Sequence, residues 1–425
     1  MYNQYLHLAG AKNHHNCTLQ VQNYYICKRK KQISSIMDNL NRIYKKLLQE
    51  TTSSFHRYLY DKINWDNRII GICGPRGVGK TTMMLQHIKE ELPKDEVLYV
   101  NADDIYFSNN RLLDLAERLV QRGVYHLYID EIHKYKDWSK ELKLIYDYYS
   151  ELKVVFSGSS VLDINKGVSD LSRRVVMYHL QGLSFREYLK LFKDIDIPSF
   201  TLNEIITAKP ENLNIKTPLL HFSEYLKKGY YPFSKEDGFD EKLRQIINIT
   251  LENDIPVYAE MSAAMGRKFK QLMMIISKSV PFKPNMSKLA EMIGTGRNQM
   301  HDYLLYIEEA GMIAQLRDDT SGIRGLGKVE KVYLDNTNLI HSLAEDDVNV
   351  GNLRETFFLN QMRVNNHVVS SSETDFKIGE FSFEIGGRTK GNRQIQNLGN
   401  AYIVKDDIEF SSDNIIPLWW FGLNY

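Results

Sequence analysis

Cysteine is scarce: Cys17, Cys27 and Cys73 are the only three among 425 residues. That is too few, and too scattered, for a disulfide framework or a zinc site. Cys73 lies in an apolar run and reads as a small buried hydrophobe. Long hydrophobic stretches are missing as well, none reaching the roughly 18 residues that span a bilayer. The opening residues, MYNQYLHLAGAKNHHN, lack the charged-then-apolar order of a signal peptide. A reducing, cytoplasmic setting is the expectation that follows. Nor is there an excess of one charge: Lys plus Arg number 54 and Asp plus Glu 53. No global field therefore points to nucleic acid or a lipid surface. Internal repeats and low-complexity tracts are absent as well.

What remains is an ordinary globular composition, 43% hydrophobic and 25% charged. A single core rarely grows past about 250–300 residues, so the length implies several domains. Residues 1–36 are polar and carry Lys12, Lys28, Arg29, Lys30 and Lys31 without one acid. Either they form a disordered extension or Met37 is the natural start. Helical periodicity begins there, with Leu40, Ile43, Tyr44, Leu47 and Leu48 at helical spacing.

Residues 74–81 spell G-x-x-x-x-G-K-T, between the apolar run RIIGICG and a helical pattern. Gly74, Gly77 and Gly79 allow backbone conformations closed to other residues, so that loop N–H groups can surround a phosphate. The helix N-terminus adds partial positive charge. Lys80 would bridge the β- and γ-phosphates and the Thr81 hydroxyl would ligate Mg2+. The apolar strand HLYID then ends in Asp130, a carboxylate suited to hold the metal through water, and Glu131 can orient and polarise the attacking water. KVVFSGSS ends a further strand in hydroxyls, so Ser157 or Ser159 could meet the γ-phosphate or the water. Arg173 and Arg174 precede another strand and could reach the γ-phosphate in cis or across a subunit interface. Asn101, Asp103 and Asp104 read equally as turn residues or as the metal's outer shell. No guanine-reading N-K-x-D appears where a signalling GTPase would need it.

Strands expected at 68–74, 96–101, 126–130, 153–160 and 174–180 alternate with helices, which argues for a three-layer α/β fold with a parallel sheet of about five strands. Beyond Leu183 the pattern becomes helical. Three helical segments from residue 266 precede a hairpin, IAQLRDD to GKVEKVYLDN, the outline of a winged helix. On its candidate recognition helix Met300, Leu304 and Ile307 face inward while Arg297, Asn298 and His301 face out. The wing carries Arg324, Lys328 and Lys331. The last 80 or so residues read as α+β: a helix, strand-like FKIGEFSFEIGG, a polar helix and short strands.

GPRGVGKTT, YIDEIHKYKDW, VVFSGSSVLDI and DLSRRVVMYHLQGLSFREYL, in that order, resemble bacterial and archaeal AAA-family ATPases with a C-terminal domain of unknown function. FSEYLKKGYYPF resembles that family's lid motif. The resemblance implies an ATPase core at 37–183, a helical lid at 184–265, a winged helix at 266–345 and a degenerate nuclease-like α+β domain at 346–425. It assigns ATP to Gly74, Gly77, Val78, Gly79, Lys80, Thr81 and Thr82, the metal to Thr81 and Asp130, and catalysis to Glu131, Lys80, Ser157 and Arg173 or Arg174. Ser172 stands where the family has a glycine. In the C-terminal domain Glu355, Asp375 and Glu384 occupy the nuclease carboxylate places, but Gly386 replaces the lysine, and Arg388 or Lys390 could reach in. The implied function is a Mg2+-dependent ATPase that couples nucleotide state to a C-terminal module docking double-stranded DNA or a protein, as a monomer or a homo-oligomer. A nucleotide-dependent binding module with little turnover and a Mg2+-dependent nuclease are the alternatives.

Overall fold

The computed structural model describes residues 40–159, 161–262, 264–279, 281–319, 328–343 and 348–425. The 1–36 extension, Met37 and Arg324 of the expected wing lie outside the described residues. Five strands form where apolar runs predict them: β1 (Ile69–Cys73), β2 (Val97–Asn101), β3 (His126–Asp130), β4 (Lys153–Gly158) and β5 (Val176–His179). They make one sheet in the order β2-β3-β4-β1-β5. Strand β3 pairs in parallel with β2 and β4, and β1 in parallel with β5. Every residue of β1 is buried, as expected for an interior strand of a parallel sheet, whereas β5 at the sheet edge is half exposed. With its flanking helices this is the α/β fold of a P-loop NTPase.

The chain divides into two compact units. One holds the described residues up to Thr52 together with Met84–Phe156. In it a helix over residues 40–50 buries Leu40, Tyr44 and Leu48 but leaves Ile43 exposed, so the apolar stripe is narrower than the sequence suggests. Lys89 Nζ donates to Thr51 O at 2.6 Å and Gln86 Nε2 to Thr52 O at 2.8 Å, fixing the end of that helix. Helices Leu112–Gln121 and Trp138–Tyr148 bury Leu115, Leu119, Leu142 and Ile145.

The other unit comprises Ser53–Met83 and Ser157–Tyr425. A helix at Val161–Leu171, absent from the sequence expectation, links β4 to β5. Helices Phe185–Lys193, Pro218–Lys228 and Phe239–Ile249 follow, and the last runs into a π-helical turn, Thr250–Asp254. The next three helices, Ala264–Ser279, Met286–Ile293 and Arg297–Glu309, lead into an antiparallel ribbon of β6 (Ile313–Arg317) and β7 (Val329–Leu334). As expected, Met300, Leu304 and Ile307 are buried.

The chain closes with helix Val350–Met362 and a second five-stranded sheet of β8 (Val368–Ser370), β9 (Phe376–Ile378), β10 (Phe381–Gly386), β11 (Ala401–Lys405) and β12 (Ile415–Pro417). Phe358 anchors the helix, its ring 5.0 Å from Phe376, 5.3 Å from Phe383 and 4.8 Å from Phe421. The polar helix expected after β10 does not form. Residues 387–400 run through turns, because Gly387, Gly391, Gly399 and the asparagines among them favour turn over helix. No described helix is long and apolar enough to cross a membrane.

Candidate nucleotide site

The phosphate loop follows β1 directly. Gly74, Gly77 and Gly79 have φ of 149°, 77° and 98°, so the glycine spacing is a backbone requirement. Space imposes a second one: a Cβ at Gly74 would lie 2.2 Å from Leu180 O. Val78 is fully buried and helix Lys80–Glu91 begins at the lysine itself. Lys80 is 5% exposed. Its ammonium donates to Gly74 O at 2.7 Å and Pro75 O at 2.8 Å, so it lies inside the curl of the loop. Thr81 is half-buried and Thr82 exposed. Burial pushes the Cys73 thiol up to about 11 despite the pull of Lys80, which fits a packing role.

Behind this loop lies an arginine that no sequence motif marks. Arg57 donates to Val78 O within it, to Gln181 O at 2.7 Å and to Gly182 O at 2.9 Å. The same guanidinium meets the Glu187 carboxylate at 3.0 and 3.1 Å. Arg57 is 5% and Glu187 1% exposed. Burial disfavours the Arg57 charge, and Glu187 outweighs it, holding the pKa above the ordinary arginine value. Glu187 also accepts from Tyr58 N at 2.6 Å and from Ser184 N at 3.1 Å, closing a capping box on helix Phe185–Lys193. Arg57 precedes β1 and Glu187 follows β5, so no local pattern pairs them. The S-x-x-E spacing of Ser184 and Glu187, a capping-box signature, was the available signal.

The carboxylate pair ends β3 as expected. Asp130 is 3% exposed and accepts from the Tyr99 hydroxyl at 2.8 Å, a second contact the sequence did not announce. Burial and then Asp130 raise the Tyr99 pKa well above the usual phenol value, so Tyr99 stays a proton donor. Glu131 adopts φ 51°, a left-handed conformation unusual for a residue with a side chain. Such strain clusters at functional positions. Asn101 and Asp104 settle as turn and cap residues: Asn101 accepts from Asp103 N and Asp104 from Tyr106 N, both at 2.8 Å.

Ser157 is fully buried at the C-terminal end of β4. Arg173, exposed, and Arg174, half-buried, occupy the 3-10 turn before β5. Ser172 has φ 50°, which explains why a glycine suits that position. The register pairs Ile70 with Val176 and Cys73 with His179. Both arginines therefore sit at the N-terminal end of β5, about 10 Å of strand from the end that carries the loop. That placement does not favour contact with a γ-phosphate in cis.

The three C-terminal acids are brought near one another, but to lysines. Lys331 Nζ lies 3.2 Å from Glu355 and 3.1 Å from Asp375, and Tyr333 OH donates to Glu355 at 2.7 Å. Burial and then Asp375 raise the Glu355 pKa. Lys390 pairs with Glu384, whose pKa burial also raises. Gly386 makes that possible, since a Cβ there would lie 2.6 Å from the Lys390 stem. Lys390 is thus the residue that reaches in, while the Arg388 carbonyl accepts from Lys405. Lys331, expected on a wing facing a partner, is instead consumed by these acids, and Lys328 pairs with Glu330 at 3.3 Å. Arg297, Asn298 and His301 are exposed as expected. Among the described residues no group of three or more His, Cys, Asp or Glu side chains is arranged to hold a metal.

Residues 66–189 match a family described as an AAA domain, and residues 219–349 match a domain of unknown function, DUF8612. An uncharacterised protein of Methanocaldococcus jannaschii is 23% identical over 382 residues, covering 83% of this chain and 79% of its own. Among solved structures, a Walker-type ATPase of Pyrococcus abyssi aligns with TM-score 0.42 at 11% identity, over 68% of this chain and 95% of that one. AMPPCP-bound DnaA of Aquifex aeolicus aligns with TM-score 0.27 at 17% identity, over 63% and 86%. The AAA match and the loop geometry agree: residues 66–189 are similar to an AAA domain and carry the phosphate loop of a P-loop NTPase fold.

Replacing Arg57 by Met leaves the Glu187 carboxylate buried and uncompensated. The expected loss is about 3–5 kcal/mol of stability, read as a lower midpoint in urea unfolding. An unchanged midpoint would show that the pair is dispensable.

Proposed function

We propose that this protein is a Mg2+-dependent ATP hydrolase of AAA type whose nucleotide state is transmitted to its C-terminal half. One observation carries the reading: a strand–loop–helix with three positive-φ glycines and Lys80 buried within the loop's curl. In this reading the backbone N–H groups of Gly74, Gly77, Val78 and Gly79 hold the β-phosphate. Lys80 exchanges its loop carbonyls for β- and γ-phosphate oxygens, and Thr82 flanks them. The half-buried Thr81 hydroxyl and the buried Asp130 carboxylate are hard oxygen donors of the kind Mg2+ takes, so these residues fit the metal. When bound, Mg2+ neutralises charge developing on the phosphates. Tyr99 orients Asp130 by its hydrogen bond. Glu131 orients and polarises the attacking water, and Ser157 offers a hydroxyl to that water or to the γ-phosphate. Arg173 or Arg174 acts across a subunit interface, which the placement before β5 favours over action in cis, so the active form is a homo-oligomer.

The helices and ribbon at 266–345 act as a winged helix in this reading, with the lid at 184–265 and the nuclease-like domain at 346–425. A protein partner is the favoured cargo, because Lys331 and Lys328 are engaged by acids of the chain itself. Exposed Arg297, Asn298 and His301 support double-stranded DNA as the second reading. The nuclease-like domain grips without cutting, since both lysines near its carboxylates neutralise them.

Lys80→Ala is expected to abolish ATP binding. Glu131→Gln is expected to bind ATP and lose about 10²–10⁴-fold in turnover. Normal phosphate release by both variants refutes the assignment. Plasmid DNA incubated with the wild type and Mg2+ is expected to stay intact, as it does with Asp375→Ala. Cutting by the wild type alone would make the C-terminal domain a nuclease.

A further inference from the structure

Three consecutive residues of the phosphate loop meet three different elements from the C-terminal half of the chain. Pro75 abuts the turn after helix Arg297–Glu309, where a Cβ on Gly311 would lie 3.1 Å from the proline ring. Gly77 lies under Phe233, in the 3-10 turn Pro232–Lys235, and a Cβ on it would come within 2.4 Å of that ring. Between them Arg76 makes a two-pronged ion pair with Asp254, Nε to Oδ2 and Nη2 to Oδ1 both at 3.1 Å. The pair is largely shielded, Arg76 being 24% and Asp254 12% exposed.

Asp254 is the last residue of the π-helical turn Thr250–Asp254. That turn lies between helix Phe239–Ile249 and the short helix Ile255–Tyr258, with Gly266 of the next helix packed so closely that a Cβ would lie 2.8 Å from Glu252 Cα. π-turns are local irregularities that frequently mark functional sites. Here the irregular turn is tied to the loop by the one directional contact of the three. The other two are apolar contacts and carry no charge to respond to a ligand.

We propose that the Arg76–Asp254 ion pair is a latch that couples occupancy of the phosphate loop to the helical segment 250–258. It rests on the nucleotide reading of the loop. A triphosphate entering the loop brings several negative charges beside Arg76 and competes with Asp254 for its guanidinium, which binds carboxylate and phosphate in the same two-pronged geometry. Loss of the pair frees the π-turn and the helices attached to it. By linkage, anything that breaks the pair beforehand tightens nucleotide binding by the same factor.

Hydrogen–deuterium exchange of the full-length chain tests this, with and without a saturating non-hydrolysable ATP analogue whose binding is measured in parallel. In the wild type the analogue is expected to speed exchange across 250–258 by about fivefold or more. In Asp254→Asn the segment exchanges fast already, the analogue changes it no further, and the analogue binds about fivefold or more tighter. Asp254→Glu, which keeps the charge, retains the response. Binding by the wild type without a change in 250–258, or a wild-type response in Asp254→Asn, overturns the latch. Absence of analogue binding to the wild type overturns the nucleotide reading itself, and the latch with it.

Discussion

Much of this structure depends on one buried ion pair, Arg57 with Glu187. Both are almost fully excluded from water, which costs several kcal/mol per charge unless geometry and further hydrogen bonds compensate. Here they do. The guanidinium is shared among a carboxylate, the Val78 carbonyl inside the phosphate loop and the carbonyls of Gln181 and Gly182. The carboxylate in turn takes the backbone N–H groups of Tyr58 and Ser184. Ser184 Oγ, having accepted from Glu187 N, donates to Tyr425 O at 2.6 Å. One charge pair thus fixes the back of the loop, the exit from β5, the start of a helix and the last residue.

The same chemistry has another outcome at the C-terminal acids. Glu355, Asp375 and Glu384 are also partly buried carboxylates, but Lys331 and Lys390 satisfy them at the site itself. Lys331 comes from β7 of the ribbon, so the neutralising charge also ties the ribbon to the C-terminal sheet. At Asp130 one partner is a neutral group, the Tyr99 hydroxyl.

Which of these features could be read from the sequence follows from their range. The parallel sheet was legible because strands buried on both faces read as unbroken apolar runs, as IIGIC does in β1. The loop was legible because positive φ selects glycine at fixed spacing. Helix Val161–Leu171 was not, since VLDINKGVSDL carries a central glycine and an asparagine that argue for a loop. Arg57–Glu187 and Lys331–Asp375 were not, because each joins residues that only the folded topology brings together. Lys390 stood four positions beyond the expected lysine, and only the space above Gly386 shows how it reaches Glu384.

The most direct test of this account is phosphate release from ATP by the purified wild-type chain, followed across a Mg2+ titration. Turnover is expected to rise with Mg2+ and to be abolished by a chelator. Tight nucleotide binding with no phosphate release at any Mg2+ concentration would contradict it and leave a binding module without an enzyme.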